Sequence, residues 1–194
     1  MGDEKAMLRR YLDAGREAVR WKADGLSEHD LRRPMTLTGT NVLGVIKHLA
    51  TMELGYFGEV FGRPSGIPTP WMEPDAEFNA DLWATADESS AWVLDLYDRS
   101  CAHANSTIDA LDLDSPGSVP WWPSGDVTLH RILVHMVQET GRHAGHLDIV
   151  RELIDGAAGL LPRNDNLPPA DESWWLDYRQ RVEQAALDAS KRSD

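Results

Sequence analysis

The run DVTLHRILVHMVQETGRHAGHLDIVRELID, residues 126–155, decides how the chain is read. Asp126 is a candidate N-cap and Gly156 a stop. Between them Leu129, Ile132, Met136, Leu147, Val150 and Ile154 recur at helical spacing. Polar side chains interrupt that apolar stripe. With Glu139 set at zero and roughly 100° per residue, His143 falls at about +40°, His146 at about −20° and His135 at about −40°. Glu139 and His143 are therefore one turn apart on the core-facing side, and His135 and His146 flank them. A carboxylate and an imidazole four residues apart can bind one metal ion from a single helix. An inward histidine can equally be a core residue satisfied by hydrogen bonds.

The rest of the chain supplies partners for this helix. Residues 4–24 place Met7, Leu8, Tyr11, Leu12, Ala18 and Val19 at helical spacing, and Ser27 and Asp30 mark a short turn that Pro34 ends. Thr40 or Asn41 caps a second helix, whose stripe of Val42, Val45, Ile46, Leu49, Met52, Tyr56 and Val60 runs to about Phe61. Thr85 and Glu88 form a capping box for a third helix over about 86–111, with Trp92, Val93, Leu96, Tyr97, Ile108 and Leu111 facing inward. Asp171 caps a last helix over about 172–189. Residues 62–84 hold four of the eleven prolines and two of the eight tryptophans, which predicts a long, ordered, irregular connection. The run DLDSPGSVPWWPSGD, residues 112–126, breaks the pattern again. No strong alternating strand is visible. The expected architecture is all-α: a four-helix bundle over 1–160, and a C-terminal extension over 161–194 with one helix packing on the bundle.

Composition narrows the function classes. Of 194 residues, 32 are acidic and 19 basic, giving a formal charge of −13. No Lys/Arg cluster is present to release counterions, so nucleic acid and anionic membranes are disfavoured partners. No run of 18 apolar residues predicts a spanning helix. The opening MGDEKAMLRR has no signal-peptide core, which fits a cytoplasmic protein. Cys101 stands alone, so there is no internal disulfide framework.

A second helix adds to the metal reading. His48, in NVLGVIKHLATMELGYF, sits beside Val45 and Met52 at the margin of its helix's stripe. It is either a boundary histidine with a water or backbone partner, or one arm of a site of the kind bundle cores build from facing helices. Three protein ligands would leave an open coordination position.

His48 in KHLATMELGYF, followed about 90 residues on by ETGRHAGHLDIVRE, resembles the DinB-like four-helix bundles, and within them the mycothiol-dependent branch of maleylpyruvate isomerases and mycothiol S-transferases. The resemblance spans residues 4–155. It implies a crossover between the second and third helices, and a divalent metal held by His48, Glu139 and His143. Many relatives carry two histidines on the last bundle helix; the mycothiol-dependent isomerases carry Glu and His, as here. Where many have His-Arg-Gly-Gln, this chain has His143-Ala144-Gly145-His146, so His146 is a departure, either a group behind the ligands or a rival ligand. The metal is expected to be zinc, with nickel, iron or manganese as alternatives. The thiol cosubstrate implied is mycothiol, the partners are a small-molecule thiol and an electrophile, and a homodimer is expected.

The implied activity is a metal-dependent thiol transferase or isomerase, in which the cation activates a thiolate. The alternative is a non-catalytic metal-binding bundle serving a stress response or a partner protein. Trp121 and Trp122, with Trp71 and Trp83, either wall a pocket for the cosubstrate or cap the core. Arg142 either assists by holding a carboxylate or is solvated. Glu53 either hydrogen-bonds a ligand imidazole or is a buried structural carboxylate. Cys101, with no neighbouring base, reads as an inert buried thiol.

Overall fold

The computed structural model describes residues 2–162 and 164–192, with side chains from residue 4. Met1, Arg163, Ser193 and Asp194, which belong to the segments expected from sequence, lie outside the described residues. Helix makes up 60% of the chain, and the sheet is tiny. The first of two compact units, Met1–Asn164, contains α1 (Gly2–Trp21), α2 (Glu28–Arg32), α3 (Val42–Phe57), α4 (Ser90–Ala110) and α5 (Leu129–Asp155), with strands β1 (Pro116–Ser118) and β2 (Asp126–Thr128). The second, Asp165–Asp194, contains α6 (Glu172–Ser190), on which Trp174 stacks against Tyr178.

Capping chemistry sets most helix starts. Ser27 accepts from the Asp30 amide, Asn41 from Gly44 and Asp171 from Trp174. Gly156, at φ 79°, closes α5 in the left-handed region. Three boundaries differ from the sequence expectation. The second helix stops at Phe57, and a separate 3-10 turn, Glu59–Phe61, follows. The third starts at Ser90 under a Ser89 cap. Glu88 does accept from the Thr85 amide (2.8 Å), but this closes a turn ahead of the helix, and the same carboxylate receives Lys47. The fourth starts at Leu129 under Thr128, because Asp126–Thr128 is taken up in an antiparallel ladder with Pro116–Ser118. Ladder bonds there use backbone groups that a cap at Asp126 would have left for the helix.

Side-chain pairs fix the directions of the long helices. Along α1, Lys5 reaches Leu111, just past α4, and Arg9, Arg16 and Arg20 reach Asp109, Asn105 and Asp98 of α4 in descending order, so α1 and α4 are antiparallel. Glu4 of α1 and Lys22, just past it, meet His130 and Asp148 of α5, so those two are parallel. Lys47 of α3 meets Glu88, just before α4, and Gly58, just past α3, lies against His103, so α3 and α4 are parallel too. Parallel neighbours in sequence cannot be joined by a short turn. The chain must travel back along the roughly 24 Å of α3 before α4 begins, and the segment 58–89 makes that crossover.

Leu12, Val19, Val42, Ile46, Leu49, Leu96, Ile108, Ile132, Met136 and Leu147 are buried in the bundle. Trp92, expected inward, instead lies at the surface with its ring edge-on to Trp71. One ion pair crosses the interior: Arg16 donates through Nε and Nη2 to both oxygens of Glu53 (2.8 and 2.6 Å), and through Nη1 to Asn105 of α4. Glu53 is thus a structural carboxylate joined to Arg16, and its reading as a support for a ligand imidazole is corrected.

Candidate metal centre

Because α3 and α5 pack together, His48 on one faces Glu139 and His143 on the other. One donor atom from each of these three residues lies within 4.8 Å of the other two. His48 Nε2 is 3.5 Å, and His143 Nε2 3.2 Å, from the same oxygen, Glu139 Oε1. The two imidazole rings tilt together at 4.9 Å. Both distances exceed the roughly 2.7–2.9 Å of a charge-assisted N–H···O bond. They match the donor–donor edge of a tetrahedral centre, about 3.3–3.6 Å when each bond to the metal is about 2.0–2.2 Å. Two imidazoles and one carboxylate therefore suit a divalent cation in chemistry, and the two separations from Glu139 lie close to the spacing it needs.

The outer nitrogen of His48 is anchored. Its Nδ1 lies 2.6 Å from Asp81 Oδ2. A carboxylate can only accept, so Nδ1 carries the proton and the Nε2 lone pair is directed at the site. Asp81 belongs to the crossover segment, and the strap around it is pinned from α3. Lys47, buried, donates to the carbonyls of Ala80 (3.0 Å) and Trp83 (3.1 Å) and to Glu88 (2.9 Å). Asn41 donates to the Leu82 carbonyl (3.1 Å). Gly44 permits the approach: a Cβ there would stand 1.8 Å from the Leu82 oxygen. Asn79 turns the strap at φ 63°.

The charges respond to this arrangement. Burial alone would pull the His48 pKa down, but the hydrogen bond and charge of Asp81, and then Glu139, carry it upward. Donation from His48 lowers Asp81. For Glu139, burial is outweighed by the charge of His143 and by His48, and its pKa falls. His143 is lowered, by burial first and then by His48. Its Nδ1 is buried with no hydrogen-bond partner among the described residues, so packing between His48 and His146 orients that ring.

His146 is exposed, its ring 5.4 Å from that of His143, and it lies outside the three-residue cluster. His135, one turn before Glu139, packs against the rings of Tyr56 (4.7 Å) and Trp122 (4.9 Å). Arg142 is exposed. Cys101 is partly buried, and burial, then the charge of Glu53, pushes its thiol up to about 12. Asp81 was not foreseen from the sequence. Its only signal was Asn79, a residue type that tolerates a left-handed turn, and nothing in the spacing ties Asp81 to His48.

One groove borders the centre, and another lies farther along α3. The first, of about 430 Å³, is lined by His143, His146, Trp83 and the polar side chains of Thr38, Thr40 and Asn41. The other, of about 320 Å³, runs along α3 beyond His48 and includes Trp121. Among the described residues, no helix is long and apolar enough to cross a membrane. No curated protein matches the chain. A family model described as mycothiol S-transferase matches residues 7–156, which is most of the first unit, and the chain belongs to this family of DinB-like bundles.

Proposed function

We propose that this chain is a metal-dependent mycothiol S-transferase, with His48, Glu139 and His143 as the ligands of a divalent cation. The observation that carries the reading is the meeting of His48 Nε2 and His143 Nε2 at Glu139 Oε1, at 3.5 and 3.2 Å. A His2Glu set suits zinc. A cation with an open position, when bound there, lowers the pKa of a thiol and makes thiolate available at neutral pH.

The chain's own groups have separate tasks. Asp81 holds the His48 ring in the tautomer that presents Nε2. Glu139 sets a negative charge beside the two imidazoles. Thr38 and Thr40 offer hydroxyl partners to the polar part of the thiol in the groove that His143 borders. In the net reaction the thiol gives its proton to solvent, a carbon–sulfur bond forms, and the leaving group departs with its electron pair. In an isomerase variant of the same chemistry the thiol adds and is expelled again, and none is consumed.

The test follows thiol consumption with mycothiol and monochlorobimane, alongside metal content. The metal-loaded chain should form the conjugate. His48→Ala and His143→Ala should lose both tight metal binding and conjugation, whereas His146→Ala should keep its metal. A metal-loaded chain that consumes no thiol with any electrophile would support the non-catalytic bundle instead.

A further inference from the structure

The groove of about 320 Å³ beside α3 has a chemistry unlike its neighbour's. Met52, Leu54, Tyr56, Ile67, Met72 and Trp121 form its apolar wall, Thr51, Ser65 and Thr69 add hydroxyls, and among the described residues Glu59 is the sole lining side chain that carries a carboxylate or a cation. Met52 and Tyr56 lie one and two turns past His48, so the groove starts about 6 Å along the helix axis from the candidate ligand. The ring of Tyr56 also touches His135, one turn before Glu139. The inner wall thus meets, on each of the two helices, a residue one turn from a candidate ligand.

Trp121 is 57% exposed, yet it is not loose. Its ring stands edge-on to Tyr56 at 5.7 Å, and its Nε1–H donates to the Tyr56 hydroxyl at 3.4 Å. A pinned indole with an open face gains by stacking a second flat ring. The two thioethers let the floor adapt to rings of different outline.

We infer that this groove seats the electrophile, that the electrophile is an uncharged aromatic compound, and that compounds bearing a carboxylate are turned away. The inference rests on the transferase reading and adds its substrate class. An anionic ring entering the groove would shed water, find no cation among the lining side chains, and meet Glu59. A neutral ring loses only weak hydration and gains the aromatic and thioether surface.

The experiment separates binding from turnover. The full chain, labelled with 15N, is titrated with 1,3-dinitrobenzene, which is neutral and does not react, and with 3,5-dinitrobenzoate. Amides in 51–56 and 65–72 and the Trp121 indole should shift with the neutral probe. The benzoate should bind roughly tenfold more weakly or worse, and Glu59→Gln should narrow that gap. Trp121→Ala, and Ile67→Asp on another wall, should each weaken the neutral probe by roughly tenfold, and the remaining spectrum reports whether each variant is folded. Conjugation rates with 1-chloro-2,4-dinitrobenzene and 4-chloro-3,5-dinitrobenzoate should follow the same order. Shifts elsewhere, indifference to both folded variants, or equal affinity for the benzoate would overturn the inference. Binding in the groove without thiol consumption would uphold the groove and overturn the transferase reading.

Discussion

Lys47 positions Asp81 through the backbone on either side of it. Its buried ammonium donates to the carbonyl of Ala80, immediately before the aspartate, and to that of Trp83, two residues after it. The aspartate in turn meets His48, the next residue of the same helix, at 2.6 Å. Adjacent side chains on α3 therefore hold one strap residue from two directions, so the ring orientation of a candidate ligand depends on the crossover segment.

Removing that buttress should weaken the centre without dismantling the bundle. Asp81→Ala is expected to lower metal affinity by about 10–100-fold. Competition with a chromogenic chelator reads the affinity, and far-UV circular dichroism should be unchanged. A variant with wild-type affinity would show that the Asp81 hydrogen bond has no part in metal binding.

Gly44→Ala should produce a related loss from a position that touches no ligand. A methyl group there would collide with the Leu82 carbonyl, so the strap must lift and carry Asp81 away from His48. Metal affinity should fall in the direction seen for Asp81→Ala, together with a lower melting temperature. Alanine is otherwise the better helix former by about 1 kcal/mol, so a more stable variant would mean that the strap yields freely.

The Arg16–Glu53 pair should show the asymmetry of buried charge. Glu53→Ala leaves a buried guanidinium without its bidentate partner and should cost about 3–5 kcal/mol. The double change Arg16→Met with Glu53→Leu should recover most of that loss, because no unpaired charge remains. Urea unfolding of the two variants and the wild type is the measurement. Equal destabilisation by the single and double changes would place the energy in packing rather than in charge.

Cys101 should resist alkylation in the native state. Burial, and then the charge of Glu53, raises its pKa from 9.0 to about 12, so almost no thiolate is present at pH 8. The folded state holds this proton more tightly than the unfolded chain does. The contribution to stability is therefore intact below about pH 9 and is lost as pH rises toward 12. Iodoacetamide at pH 8 should label the protein only after unfolding in urea, as read by mass spectrometry.

The helices were legible because apolar side chains repeat at helical spacing and because Ser27, Asn41, Asp171 and Gly156 carry their boundaries in their own chemistry. The convergence of Glu139 and His143 was legible for the same reason: both lie on one face of one helix. His48 needed a resemblance to be paired with them, since periodicity does not say which helices become neighbours. Asp81 was out of reach, because its place depends on Lys47 and Asn41 holding distant carbonyls, and such long-range pairing leaves no periodic trace. The starts of α4 and α5 were misplaced for a similar reason. Thr85, Glu88 and Asp126 are sound capping residues that a strap turn and a two-stranded ladder had already engaged.

The strap that carries Asp81 also supplies Asn79, Leu82 and Trp83 to the groove beside His143. One stretch of backbone therefore both walls the groove and aims the His48 ring. Swinging it outward to admit or release a bulky ligand would break the Lys47 tethers and let the His48 ring turn. The shape of that groove and the aim of the candidate ligand are therefore set by the same Lys47 and Asn41 tethers.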